Sequence, residues 1–157
     1  MKKIILTLLT MLMLTVPCLA MQNPMVKQPS IMTAEKTAGF MALSIFPGSD
    51  FHLDDVFLID GKIIDLRYSN QFDQKFSIRS ARYDSSQPDI SGVYTDYWED
   101  YNVGDVSMRV VHLYSGEIHA ACWNDGSKSY AIYAENMKTE PFMILAVMTY
   151  HSITPEV

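Results

Sequence analysis

VSMRVVHLYSGEIHAACWNDGSKSYAIYA, residues 106–134, holds three apolar, β-branched and aromatic runs punctuated by Ser115-Gly116 and Asp125-Gly126. Both pairs suit the positive backbone angles of tight hairpin turns, so the stretch predicts an antiparallel meander with strands at 106–114, 117–124 and 128–134. Upstream, residues 56–59 and 63–68 flank Asp60-Gly61 in the same manner, and 76–83 supplies a further strand. Between the two groups, residues 84–92 carry the turn chemistry of a loop. Helices bracket the sheet. Thr33 caps a segment in which Ala34, Ala38, Met41, Ala42 and Ile45 recur at helical spacing until Pro47-Gly48. Thr139, Glu140 and Pro141 open a second helix over 139–151, apolar nearly all round and therefore expected to be buried. The fold class is α+β: a twisted antiparallel sheet of about six strands, with an N-terminal helix and a buried C-terminal helix packed on it.

The N-terminus sets the location. Lys2 and Lys3 precede an apolar run over 4–16 and the small-residue segment Pro17-Cys18-Leu19-Ala20, the pattern of a bacterial secretory signal peptide. The run is shorter than the roughly 20 residues a membrane-spanning helix needs. Pro17 and Thr15 stand where a lipoprotein signal wants a small and an aliphatic residue, so lipid anchoring at Cys18 is not expected. The expected organisation is a signal peptide at 1–20, a flexible lead-in at 21–32 with Pro24 and Pro29, and one domain at 33–157, exported to the periplasm or the medium. The apolar run 142–148 is too short to span a bilayer. Removing Lys2 and Lys3 from 12 basic and 18 acidic residues leaves a net charge of −8. With no basic stripe, nucleic acid and anionic membrane surfaces are excluded as partners. Cys122 is then the sole thiol and is expected to be buried in its apolar strand.

Three groups of residues invite a chemical assignment. A two-residue turn at Ser115-Gly116 places His112 opposite His119, with Cβ atoms about 5 Å apart. Two imidazoles at that spacing can share zinc or copper, although half-exposed histidines without a third ligand are the commoner outcome. Tyr94, Tyr97, Trp98 and Tyr101 alternate with Asp96, Glu99 and Asp100, a composition suited to recognition and equally to a strand with one face in the core. A two-residue turn at Asp125-Gly126 puts Trp123 opposite Lys128 and Ala121 opposite Tyr130. Trp123 and Tyr130 are then expected in the core under the last helix. Met41, Met108, Met137, Met143 and Met148 could line an adaptable pocket or simply pack. The adjacent acids Asp54-Asp55 and Glu99-Asp100 point to opposite faces of a strand, which is poor geometry for paired-carboxylate chemistry. No nucleophile elbow, zinc-protease helix or phosphate loop occurs in the sequence.

Ile78-Arg79-Ser80-Ala81, then Asp89-Ile90-Ser91-Gly92 followed by Tyr94, and later Ala121-Cys122-Trp123-Asn124-Asp125-Gly126 with Ser129-Tyr130-Ala131-Ile132, resemble a bacterial extracytoplasmic family, domain of unknown function 4367. Its motifs are similar to Asp-Ile-Ser-Gly-x-Tyr and Ala-x-Trp-x-Asp-Gly-x-x-x-Tyr-x-Ile, and the likeness covers residues 51–147. The resemblance implies an exported α+β domain, found alone or as the outer part of membrane-anchored anti-sigma proteins. It assigns no catalytic residue. The function expected is a non-enzymatic binding module of the cell envelope, without a cofactor, whose partner is a protein or a small envelope ligand. The alternative is a metal-binding protein or small metal-dependent enzyme centred on His112 and His119.

Overall fold

The computed structural model describes residues 24–45, 50–87, 89–113 and 117–153. The expected leader, the Pro47-Gly48 helix stop and the Ser115-Gly116 turn lie outside the described residues. Among the described residues one antiparallel sheet of eight strands dominates. In chain order these are β1 (Met25–Gln28), β2 (His52–Ile59), β3 (Ile63–Ser69), β4 (Lys75–Arg82), β5 (Glu99–Val103), β6 (Val106–Leu113), β7 (Ile118–Asn124) and β8 (Lys128–Glu135). Helix α1 (Ile31–Ala38) lies between β1 and β2, and α2 (Thr139–His151) follows β8. The spatial order β1-β2-β3-β4-β8-β7-β6-β5 sets two meanders side by side, joined where β4 meets β8. Among the described residues no helix is long and apolar enough to cross a membrane.

The sheet thus has eight strands where about six are expected, and the two extra ones, β1 and β5, are its edges. Each is short, four and five residues, and neither alternates cleanly between apolar and polar. An edge strand buries little on either face and often carries charge that discourages edge-to-edge pairing, so the pattern that marks a central strand is missing. β1 falls within the stretch expected to be a flexible lead-in.

The first helix also differs. Ser30, not Thr33, caps it, accepting from the Thr33 amide at 3.2 Å. It ends at Gly39, whose φ of 75° is the left-handed conformation of a helix stop, with its amide donating to Glu35 O. Residues 40–45 then run without helix across the sheet. They are held by Glu35 Oε1, which accepts from the Ala42 amide, and by Ser80 Oγ, which accepts from the Leu43 amide. The second helix spans the expected residues.

Register assigns the two faces. Ile64 and Leu66 of β3, Ile78 of β4, Ile132 of β8 and Ala121 of β7 point to one face, where α1, the 40–45 segment and α2 cover them. Phe142 and Ala146 bring α2 into this core fully buried, while Ile144 and Met148 remain exposed on its outer side. Among the described residues the opposite face carries no helix. Over one half of it the 84–98 loop returns, seating Ile90 on Ala81, Cys122 and Ala131 with Trp98 at the rim. The other half, over β3, β4 and the end of β8, stays open to solvent and is polar.

Candidate functional site

The aromatic-acidic segment does not converge into one platform. Tyr94 and Tyr97 project from the loop, 98% and 76% exposed. Trp98 turns to the helix-free face, where the Arg109 guanidinium lies 5.2 Å from its ring centre. Tyr101 points to the opposite face and packs against the main core. Tyr94, Trp98, Arg109, Asp89 and Asp96 line an open groove of about 440 Å³. Tyr97 stands beside it, and Glu99 and Asp100 of the edge strand follow directly in the chain.

His112 does face His119 across β6 and β7. The rings are bonded to each other, Nδ1 to Nδ1 at 2.7 Å, and His119 Nε2 lies 2.7 Å from the Met137 carbonyl. A carbonyl only accepts, so His119 Nε2 carries hydrogen, its Nδ1 offers a lone pair, and His112 Nδ1–H donates to it. Both nitrogens of the fully buried His119 are thereby engaged, and its ring stacks on Phe142 at 4.9 Å. A metal shared by the pair would have to break this arrangement. Among the described residues no group of three or more histidine, cysteine or acidic side chains is placed to hold a metal.

The His112 pKa is held below its ordinary 6.5, first by burial, then by its neighbour His119, with the Glu99 carboxylate pulling the other way. As pH falls the unfolded chain takes this proton before the folded one does. The contribution of His112 is therefore complete above about pH 6.5 and declines as pH drops below that value. Urea unfolding at pH 7.5 and pH 5 should show a smaller acid loss in His112→Asn than in the parent chain. An identical loss would place the acid sensitivity elsewhere.

Trp123 faces Tyr130, not Lys128, and Ala121 faces Ile132. The turn holds four residues instead of two because Asp125 Oδ1 accepts from the Ser127 and Lys128 amides, while the Asp125 amide donates to Lys128 O. A shift of two residues preserves the faces. Trp123 and Tyr130 accordingly stack in the core at 5.8 Å, with Tyr150 of α2 against the indole. Cys122 is buried and its thiol is pushed up to about 12, chiefly by that burial, which removes it from thiolate chemistry. The five methionines differ in placement: Met108 and Met137 are core residues, Met143 is partly buried against the core, and Met41 and Met148 are exposed.

The most organised polar cluster lies on the helix-free face and centres on a residue the sequence leaves unremarked. Asp65 of β3 is 0% exposed. Its Oδ2 accepts from Arg67 Nε and Nη2, both at 3.2 Å. Arg67 also lies 4.5 Å over the Phe57 ring. Arg79, opposite Asp65 on β4, brings Nε to 3.6 Å from Asp65 Oδ1, an ion-pair distance too long for a hydrogen bond. Arg79 Nη1 donates to Ile90 O at 3.2 Å and Ser91 O at 2.7 Å.

The Asp-Ile-Ser-Gly segment therefore has a physical task, to wrap the Arg79 guanidinium. Asp89 Oδ1 shapes the loop by accepting from the Ser91 amide. Gly92 completes it at φ 76°, where a Cβ would sit 2.6 Å from Arg79 Nη1. Gly92→Ala should lose about 1–3 kcal/mol from the left-handed backbone alone, and it should also dislodge Arg79. Denaturant unfolding checks the first effect and side-chain NMR of the Arg79 guanidinium the second. An unshifted midpoint would show that the loop accommodates a methyl group.

Beside this clamp, small Ser77 lies between Arg67 on β3 and Tyr133 on β8 in one register row. The result is a hollow of about 310 Å³, lined also by Lys75, Arg79 and Glu135. A bulge between Leu53 and Asp55 brings both Asp54 and Asp55 to its rim, so these neighbours share a site where regular alternation would separate them. No known family, curated protein or solved structure is matched by this chain.

Proposed function

We propose that this chain is an exported, non-catalytic interaction module of the bacterial cell envelope, and that it meets a basic, extended segment of a protein partner along its acidic edge. The observation that carries the proposal is the exposure of Tyr94 and Tyr97 beside the terminal strand β5. Tyrosine offers large contact area with few rotatable bonds and is enriched at binding hot spots. Among the described residues β5 pairs with β6 alone, and in an antiparallel pair alternate residues turn their backbone groups away from the partner strand. An incoming strand can use those groups. Asp96, Glu99, Asp100 and Asp105 give this edge a negative field, which favours lysine and arginine on the partner. Export is supported by the leader-like pattern of residues 1–20, and the resemblance to the extracytoplasmic family of unknown function agrees with it.

Fluorescence anisotropy with two labelled peptides, one alternating lysine and threonine and one alternating glutamate and threonine, tests the proposal. The lysine peptide should bind, more weakly as salt rises, and Tyr94→Ser/Tyr97→Ser should weaken it by about tenfold or more. Glu99→Lys/Asp100→Lys should invert the preference. Equal binding of both peptides, or indifference to these substitutions, would remove the edge as the recognition surface.

A further inference from the structure

We infer that the hollow over Ser77 is a binding site for a small zwitterion, an amino acid or short peptide whose carboxylate meets Arg67 and Arg79 and whose ammonium meets Glu135. The charges around the hollow point to this ligand. Asp65 supplies one negative charge to two guanidiniums, which leaves one arginine charge without a carboxylate. Lys75 is paired with Asp73, and Asp55 with Lys27. Glu135 takes a hydrogen bond from the Tyr133 hydroxyl at 2.9 Å but has no cation within ion-pair distance among the described residues. Asp54, on β2 beside Arg67, lies 3.0 Å from the His52 imidazole. Arg67 and Arg79 therefore bring surplus positive charge to one part of the hollow, and Glu135, two and four register rows away and opposite a Lys75 that is held by Asp73, supplies a carboxylate at the other.

The arginine end is preorganised. Arg79 is anchored through Nη1 to two backbone carbonyls and Arg67 through Nε and Nη2 to Asp65. Arg79 Nη2 and Arg67 Nη1 have no hydrogen-bond partner among the described residues, and both side chains line the hollow. Guanidinium donors held in a fixed plane match a carboxylate. The Ser77 hydroxyl at the floor adds a group able to donate or accept. A volume of about 310 Å³ lies at the lower limit of ligand pockets, which restricts the occupant to a few residues at most. Arg79 and Glu135 belong to register rows four residues apart, roughly 13 Å along the strands. Their long side chains shorten that span toward the length of a dipeptide or tripeptide.

The site is on a different part of the molecule from the acidic edge, and its test is independent of that proposal. The probe is alanyl-alanine, titrated into the isotope-labelled protein by NMR beside its N-acetyl and C-terminal amide forms. The free dipeptide should shift the amides of Ser77, Arg79 and Tyr133, and each blocked form should bind at least about tenfold more weakly. Ser77→Trp, which fills the floor, should abolish the shifts. Glu135→Gln, on the rim, should narrow the difference between the free and N-acetyl forms while the fold is retained. Shifts of equal size from all three compounds would overturn the inference, as would their absence at Ser77 and Arg79 or their persistence in Ser77→Trp.

Discussion

Asp65→Ala is expected to lower the unfolding free energy by about 3 kcal/mol, at the lower end of the cost of breaking a buried ion pair. The carboxylate is completely buried, and two arginines depend on it. Without it, Arg67 loses two charge-assisted hydrogen bonds and Arg79 keeps its backbone acceptors but no counter-charge. Part of the cost is recovered because both guanidiniums retain some solvent contact, Arg67 more than Arg79, which places the figure at the lower end. Urea unfolding followed by tryptophan fluorescence gives the number directly. A loss below about 1 kcal/mol would mean the carboxylate's own burial cancels what it contributes. Asp65→Asn separates the two parts, since it keeps the shape and one acceptor while removing the charge.

Phe142→Ala should cost about 3–5 kcal/mol, the usual range for deleting a buried phenyl ring. Phe142 is fully buried on α2 and stacks on His119, with the His112 ring edge-on at 6.1 Å. Its removal leaves a cavity against the sheet and strips one side from the histidine pair. Equilibrium unfolding measures the loss, and backbone hydrogen exchange should rise first along α2, which meets the sheet mainly through β6 and β7. A change under about 1 kcal/mol would show that neighbouring side chains collapse into the space.

The central strands are legible in the sequence because Leu66 and Ile78 sit between polar neighbours and the dipeptides Asp60-Gly61 and Asp125-Gly126 flank β3, β7 and β8. Helix α2 is legible from Thr139, Glu140 and Pro141. The first helix misleads because alanines and methionine continue the helical period past Gly39, while a single left-handed residue ends it. The edge strands are hidden because partial burial imposes no period on Met25–Gln28 or Glu99–Val103. The His112–His119 pairing follows from register, which a local turn determines. The Asp65 clamp does not, because its members come from β3, β4 and a loop more than twenty residues downstream. What points to it is Asp65 and Arg67 two apart on one strand, sharing a face, with an arginine on the next strand and a loop that ends in glycine.

The meeting of β4 with β8 has a kinetic consequence. Within each meander every strand pairs with its neighbour in sequence, so apart from β1 and β2, which helix α1 separates, each half zips through short local closures. The β4–β8 seam, Lys75↔Glu135 to Arg82↔Lys128, instead closes a long loop and pays its chain entropy in a single step. Neither half can complete the covered core alone, since Ile78 of one and Ile132 of the other meet across that seam. Closure of that seam is therefore expected to follow the local pairings within each half, because it alone must gather the two meanders across a long intervening loop.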